Sequence, residues 1–141
     1  MDSKDFTQII SELIFTKKGY DVKIIDLRKL ATFADYFVIC SADSDTQVKA
    51  IADEIDKRLR DDGIKCWHKE GYMALQWVLL DYVDVVVHVF KKDARDFYNL
   101  EKLWGDAPIT EVEDPLLKPK KAVNEQKKAA RRTTSAAKKK L

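Results

Sequence analysis

Several features of secreted and membrane proteins are scarce or missing in this sequence. Only two of its 141 residues are cysteines, Cys40 and Cys66, too few for the disulfide framework that stabilises many small secreted proteins. No apolar run approaches the roughly 18 residues that a membrane-spanning helix needs. The first residues carry two acids before any apolar stretch, unlike a signal or transit peptide. We therefore expect a protein of the reducing cytoplasm that does not enter a membrane.

Sequence signatures of common enzyme sites are also weak. The four glycines form no phosphate-binding loop. Cys66 and His68 are a loose pair of potential zinc ligands that lacks a second pair, and His88, in an apolar strand, is expected to be satisfied by a hydrogen bond. Asp81 and Asp84 flank a tight turn and could hold Mg²⁺, although acids are common in turns for structural reasons. A magnesium-dependent nucleotidyltransferase-like enzyme is therefore the alternative function, and the preferred interpretation has no catalytic residue, metal or cofactor.

The net charge of +2 conceals two parts of opposite sign. Ten Lys and Arg residues against one acid, Glu125, give residues 118–141 a formal charge of +9, which leaves −7 for residues 1–117. A segment so basic and so poor in large apolar side chains is expected to be disordered alone and to bind phosphate backbones. We predict a domain over residues 1–107, followed over 108–141 by a linker and a basic tail. The candidate rRNA contacts in this tail are Lys120, Lys121, Lys127, Lys128, Arg131 and Arg132.

Hydrophobic periodicity predicts helices and strands in the order αββαβββα. Helical spacing of apolar residues indicates helices at 5–17 and 93–104, and a third that follows the turn 41–45 and ends before Gly63. Alternating or continuous apolar residues indicate strands at 21–27, 35–40, 64–68, 77–80 and 85–90, of which the last two form a hairpin. This order is typical of an α/β (α+β) domain in which helices flank a mixed five-stranded sheet.

Large aromatic residues are concentrated near the C-terminal end of the predicted domain. Trp77, Tyr98 and Trp104 cannot all be buried easily in a domain this small. In the predicted helix 93–104, spacing places Phe97 and Leu100 on the same face as Trp104, with Tyr98 turned elsewhere. We expect a hydrophobic patch, rimmed by acids such as Asp81 and Glu101, that binds a partner rich in Lys and Arg. Such a patch is also compatible with a symmetric homodimer.

Specific motifs give the sequence a family resemblance. The relevant motifs are the runs ADYFVIC (34–40) and QV (47–48), the segment 50–53, EG (70–71), WVLLD (77–81), DVVVH (84–88) and YNLEKLW (98–104). The chain resembles the ribosomal silencing factor family, also called RsfS or Iojap-like, over about residues 5–107. Two departures are Val83 and Ala42, which stand where the family usually has glycine. Because a β-branched residue resists positive φ, a primed two-residue turn at Val83 is doubtful.

The resemblance implies a nucleotidyltransferase-like shape without the catalytic Gly-Ser and paired-aspartate signature of those enzymes. It also implies binding to the large ribosomal subunit through its ribosomal protein fourteen. The bound factor would prevent the small subunit from joining and so repress translation, and some members act in large-subunit maturation. By position, the resemblance implies a partner-binding role for Trp77, Asp81, Tyr98, Leu100, Glu101 and Trp104.

Overall fold

A mixed six-stranded sheet forms the centre of the computed structural model, which describes residues 2–116. The elements are α1 (Ser3–Thr16), β1 (Tyr20–Asp26), β2 (Tyr36–Ala42), α2 (Asp45–Asp61), β3 (His68–Glu70), β4 (Trp77–Asp81), β5 (Val85–Lys91), α3 (Lys92–Tyr98), α4 (Leu100–Leu103) and β6 (Ile109–Val112). The strand order is β3-β4-β5-β2-β1-β6, and β2 and β5 form the parallel pair among antiparallel neighbours. The predicted α+β class with a mixed sheet is confirmed.

The sheet has one strand more than the five predicted. Ile109–Val112, which the sequence analysis assigned to the linker, pairs with β1 in antiparallel register. Three of its four residues are exposed, so this edge strand lacks the apolar alternation by which strands are recognised. The ordered sheet therefore extends past residue 107, while the predicted tail contacts, Lys120 to Arg132, lie outside the described residues.

Two long helices cover one face of the sheet. α1 and α2 pack their apolar stripes on β2, β4 and β5 and form the larger of two buried clusters. All seven residues of β2 are buried, which confirms a central strand covered on both faces. Ser44 caps α2 by accepting a hydrogen bond from the Gln47 N–H, and the Gln47 amide donates to the Lys17 and Lys18 carbonyls at the end of α1. These bonds fix the two helices relative to each other.

The opposite face has a thinner cover. There, α3, α4 and the segment 27–35 lie over β1, β2 and part of β5, and a smaller apolar cluster fills the space beneath them. The predicted continuous helix 93–104 is instead two short helices, because Asn99 adopts a left-handed conformation with φ 48°. Asn tolerates this conformation better than most residues. The break leaves part of this sheet face open, chiefly over β4.

No helix within residues 2–116 is both long and apolar enough to cross a bilayer.

Candidate functional site

Alternation along β4 directs a row of side chains onto the open sheet face. Val78 and Leu80 are buried under the helices, whereas Trp77, Leu79 and Asp81 are partly exposed on the other side. These three residues pair with Phe90, His88 and Val86 of β5, respectively. Since directly paired residues share a sheet face, the two strands together present an apolar surface with Asp81 at one end.

Trp77 is held at the centre of this surface by contacts on several sides. Its ring stacks on Phe90 with centroids 4.9 Å apart and lies 4.8 Å from the ring of Tyr98. The indole Nε1 donates a hydrogen bond of 3.0 Å to His88 Nδ1, so the expected hydrogen bond to His88 is present. Gly71, with φ 93°, packs against the Trp77 carbonyl, where a Cβ would come within 1.9 Å of the oxygen. Both the backbone and the ring of Trp77 are therefore constrained.

A second group of rings continues the surface towards α4. The Trp104 ring lies 6.0 Å from both Phe33 and Phe37, and Phe37 contacts His88 at 4.4 Å. Together the rings form a connected series that we call the aromatic band: Phe33, Phe37, Trp77, His88, Phe90, Phe97, Tyr98 and Trp104. Phe33 is 59% exposed and was missed by the sequence analysis, because a single phenylalanine between two strands gives no periodic signal.

The predicted partner-binding residues differ in how accessible they are. Tyr98 is 50% exposed, and Trp77 and Trp104 are partly buried at the surface of the smaller cluster. Leu100 is only 8% exposed, so direct contact with a partner is not supported by its position. The expectation that Phe97 and Leu100 share a face was wrong: Phe97 is 80% exposed, because the break at Asn99 turns the two short helices apart.

Glu101 is engaged within the domain. Its carboxylate accepts hydrogen bonds from Arg95 Nη2 at 2.8 Å and Nε at 3.2 Å, and Lys23 lies 3.7 Å away. Burial by itself would raise the pKa of Glu101, but the hydrogen bonds and charge of Arg95 outweigh it and lower the pKa below its ordinary value. Arg95 is 5% exposed and also donates to the Ser41 hydroxyl at 2.9 Å. Glu101 thus anchors α4 rather than standing free at the rim.

The two aspartates of the alternative magnesium site face different parts of the structure. Asp81 lies on the open face, where its Oδ1 accepts a hydrogen bond of 2.8 Å from the Val83 N–H. Asp84 instead lines a cavity of about 380 Å³ with Phe6 and Tyr82, which belong to the helix-covered cluster. No three His, Cys, Asp or Glu side chains in the described part of the chain are grouped to hold a metal ion. This geometry does not favour metal-dependent catalysis.

Neither cysteine has the environment of a nucleophile. Cys40 is fully buried, and burial raises the pKa of its thiol to about 12. Burial also raises the pKa of Cys66, whose Sγ contacts the backbone oxygens of His68 and Asp81. Because the thiolate is the reactive form, the arrangement provides no thiol chemistry.

Comparison with known proteins identifies the family. The family model described as "Ribosomal silencing factor during starvation" matches residues 1–140. The chain belongs to this family. Over 113 residues it is 44% identical to "Ribosomal silencing factor RsfS" of Halalkalibacterium halodurans, covering 80% of this chain and 97% of the relative. The RsfS of Bacillus subtilis is also 44% identical over 113 residues, or 80% of this chain and 96% of that relative.

A solved structure supports the same assignment to the ribosomal silencing factor family. The X-ray crystal structure of a Chromobacterium violaceum protein superposes with a TM-score of 0.72 at 34% identity, covering 74% of this chain and 88% of that one. The family match includes the basic tail, which the motif-based resemblance did not reach.

The hairpin tip between β4 and β5 contains a strained residue. Val83 adopts φ 75°, and the Asp84 N–H donates to the Tyr82 carbonyl at 3.0 Å as in a γ-turn. The tight turn therefore places the β-branched side chain in the conformation that the sequence analysis expected it to resist. Such strain typically costs about 1–3 kcal/mol.

Val83→Gly is expected to stabilise the domain by about 1 kcal/mol, since glycine accepts positive φ freely but loses more entropy on folding. The midpoint of thermal unfolding, followed by circular dichroism, should rise by roughly 4–8 °C. Asp84→Gly is the matched control. Asp84 does not have positive φ, so its replacement should lower the midpoint. A lower midpoint for Val83→Gly would contradict the strain assigned to this turn.

Proposed function

We propose that this chain binds the large ribosomal subunit through the aromatic band, with ribosomal protein fourteen as the contact, and blocks joining of the small subunit. Family membership and the names of the relatives support a role in ribosome silencing. The observation that carries the docking assignment is the half-exposed Tyr98 against Trp77 on an open sheet face. A protein that acts on ribosomes in this way would work in the cytoplasm. Its binding would repress translation there.

The physical properties of the surface fit a docking role. Trp and Tyr are the residues that most often dominate interface energies, and burial of apolar area contributes about 25 cal/mol per Å² before the costs of association. The formal charge of −7 over residues 1–117 would attract a basic partner and speed its encounter. The Asp81 carboxylate at the end of the apolar row would help to fix the orientation of the bound partner. Occupying the joining surface requires no chemical step.

The basic tail would add a second contact. Lysines and arginines in residues 118–141 would bind rRNA phosphates by counterion release, which makes affinity salt-dependent. Tethering would raise the effective concentration of the tail once the aromatic band is docked. A further role in large-subunit maturation is compatible with the same binding site.

Trp77→Ala and Tyr98→Ala are each expected to weaken binding to purified large subunits at least about 30-fold, the loss typical of interface hot spots. Co-sedimentation over a range of subunit concentrations measures the affinity, and circular dichroism verifies the fold. Trp67→Ala is the matched control: this tryptophan is 73% exposed and, among the described residues, its ring contacts His68 rather than the aromatic band. Undiminished binding by both site variants would refute the docking assignment.

A second assay measures the consequence of binding. The wild-type protein should prevent purified large and small subunits from forming 70S-type particles on sucrose gradients, and both site variants should fail to do so. Binding without interference in joining would separate the docking surface from the proposed silencing role.

A further inference from the structure

One buried histidine lies inside the aromatic band and contacts the residue on which docking depends. His88 is 3% exposed, and its Nδ1 accepts the hydrogen bond of 3.0 Å from Trp77 Nε1. In the sheet register His88 pairs with Leu79, and Trp77 pairs with Phe90. The bond therefore runs diagonally from β4 to β5 across the sheet face. It ties the indole of the partly exposed Trp77 to a side chain that cannot itself reach a partner.

We propose that His88 is a positioning residue that fixes the Trp77 indole in the orientation required for docking. This inference rests on the proposed function. His88 would touch no partner atom and would act through the ring it holds.

The hydrogen bond defines the chemical state of the imidazole. Because the indole N–H is only a donor, Nδ1 must be unprotonated and the neutral ring carries its proton on Nε2. Within residues 2–116, Nε2 is buried and has no hydrogen-bond partner; the ring of Phe37 lies edge-on at 4.4 Å. A buried N–H without a partner is unfavourable. Nε2 therefore lowers the stability of the fold, while Nδ1 orients Trp77. An apolar residue would avoid that cost but would lose the orientation.

The benefit of this arrangement appears on binding. Stacking on Phe90 and contact with Tyr98 confine the plane of the Trp77 ring, but these apolar contacts do not select one edge of the indole. The bond to His88 directs the Nε1 edge inward and so presents the other edge to a partner. An indole already held in this way loses less conformational freedom on docking.

Two substitutions at this position separate orientation from packing. In His88→Asn the side-chain Oδ1 can occupy the place of Nδ1 and accept the indole N–H, whereas His88→Leu fills the space without an acceptor. Binding to large subunits should stay within about twofold of wild type for His88→Asn. It should weaken about tenfold for His88→Leu, since about 1.4 kcal/mol of lost preorganisation corresponds to that factor.

An NMR measurement on the free protein tests the same inference without the ribosome. The ¹H–¹⁵N resonance of the Trp77 indole, assigned by its absence from Trp77→Phe, should be shifted downfield and protected from solvent exchange in wild type and His88→Asn. In His88→Leu it should lose both properties while the backbone spectrum stays folded. A changed backbone spectrum in His88→Leu would indicate a purely structural role, and an indole resonance that stays shifted and protected in His88→Leu would show that His88 is not its acceptor.

Variants without the indole N–H give the remaining control. In a Trp77→Phe background, His88→Leu should weaken binding by no more than about twofold, because the bond it removes is already absent. Equal binding by His88→Leu and wild type, or equal loss by His88→Leu and His88→Asn, would overturn the positioning role provided that Trp77→Ala loses binding. Undiminished binding by Trp77→Ala would show that docking does not depend on Trp77, and together with undiminished binding by Tyr98→Ala it would overturn the proposed docking. The indole resonance would then still decide whether His88 orients the ring.

Discussion

Arg95→Met is expected to destabilise the domain by about 3–5 kcal/mol, the usual cost of removing one partner from a buried ion pair. The guanidinium is 5% exposed and bonds the Glu101 carboxylate, the Ser41 hydroxyl and the Asp21 carbonyl. A single side chain thus connects α3 to α4, β2 and β1. Methionine fills much of the volume, but it leaves these partly buried acceptors without their hydrogen-bond donor.

Urea unfolding of Arg95→Met measures this loss, and two variants test its cause. Arg58→Met is the matched control, because the Arg58 ion pair with Glu54 is a helix-surface pair with the arginine 56% exposed; a change below about 0.5 kcal/mol is expected. Adding Glu101→Gln to Arg95→Met should restore part of the stability by removing a carboxylate that has lost its hydrogen-bonded partner and keeps only Lys23 at 3.7 Å. A loss as small as that of Arg58→Met would show that the buried ion pair does not hold α4 in place.

The elements with regular hydrophobic periodicity could be predicted from the sequence. The stripe on α2 and the apolar run of β2 reflect burial against a sheet, and such burial produces the spacing directly. The strand Ile109–Val112 could not be predicted in this way, because it lies at a sheet edge with most side chains exposed. The strand is held by backbone pairing with β1. Its side chains give little indication of that pairing.

The site was only partly predictable for a related reason. Excess aromatics pointed to Trp77 and Tyr98, which the structure brings together. The resemblance implied a partner-binding role for Leu100 and Glu101 by position. The prediction of one continuous helix was a separate error, because the left-handed Asn99 divides it. Glu101 is paired with Arg95, whose other partners, the Ser41 hydroxyl and the Asp21 carbonyl, are distant in sequence. Tertiary contacts of this kind leave no local pattern.

Lowering the pH from 7.5 to 5 is expected to reduce the free energy of unfolding through His88 by about 2 kcal/mol. Burial lowers the pKa of His88 to about 3 in the folded protein, whereas an unfolded histidine has a pKa of about 6.5. Between these values the unfolded chain binds a proton that the folded chain excludes, so stability falls as pH decreases. Each pH unit below 6.5 costs about 1.36 kcal/mol, and the loss would approach about 5 kcal/mol near pH 3.

Urea unfolding at pH 7.5 and 5 measures this dependence, and the two histidines of the chain provide matched variants. His88→Asn should lose less than about 0.5 kcal/mol over this range, because asparagine does not titrate and the lowered pKa of the Glu101 carboxyl acts mainly at lower pH. His68→Asn should retain the wild-type dependence, since His88 is still present. His88 stays neutral in the folded protein over this range, so the protected resonance of the Trp77 indole, whose acceptor is His88 Nδ1, should persist in the folded molecules at pH 5. The same pH dependence in wild type and His88→Asn would contradict a buried, neutral His88 and, with it, the hydrogen bond assigned to its Nδ1.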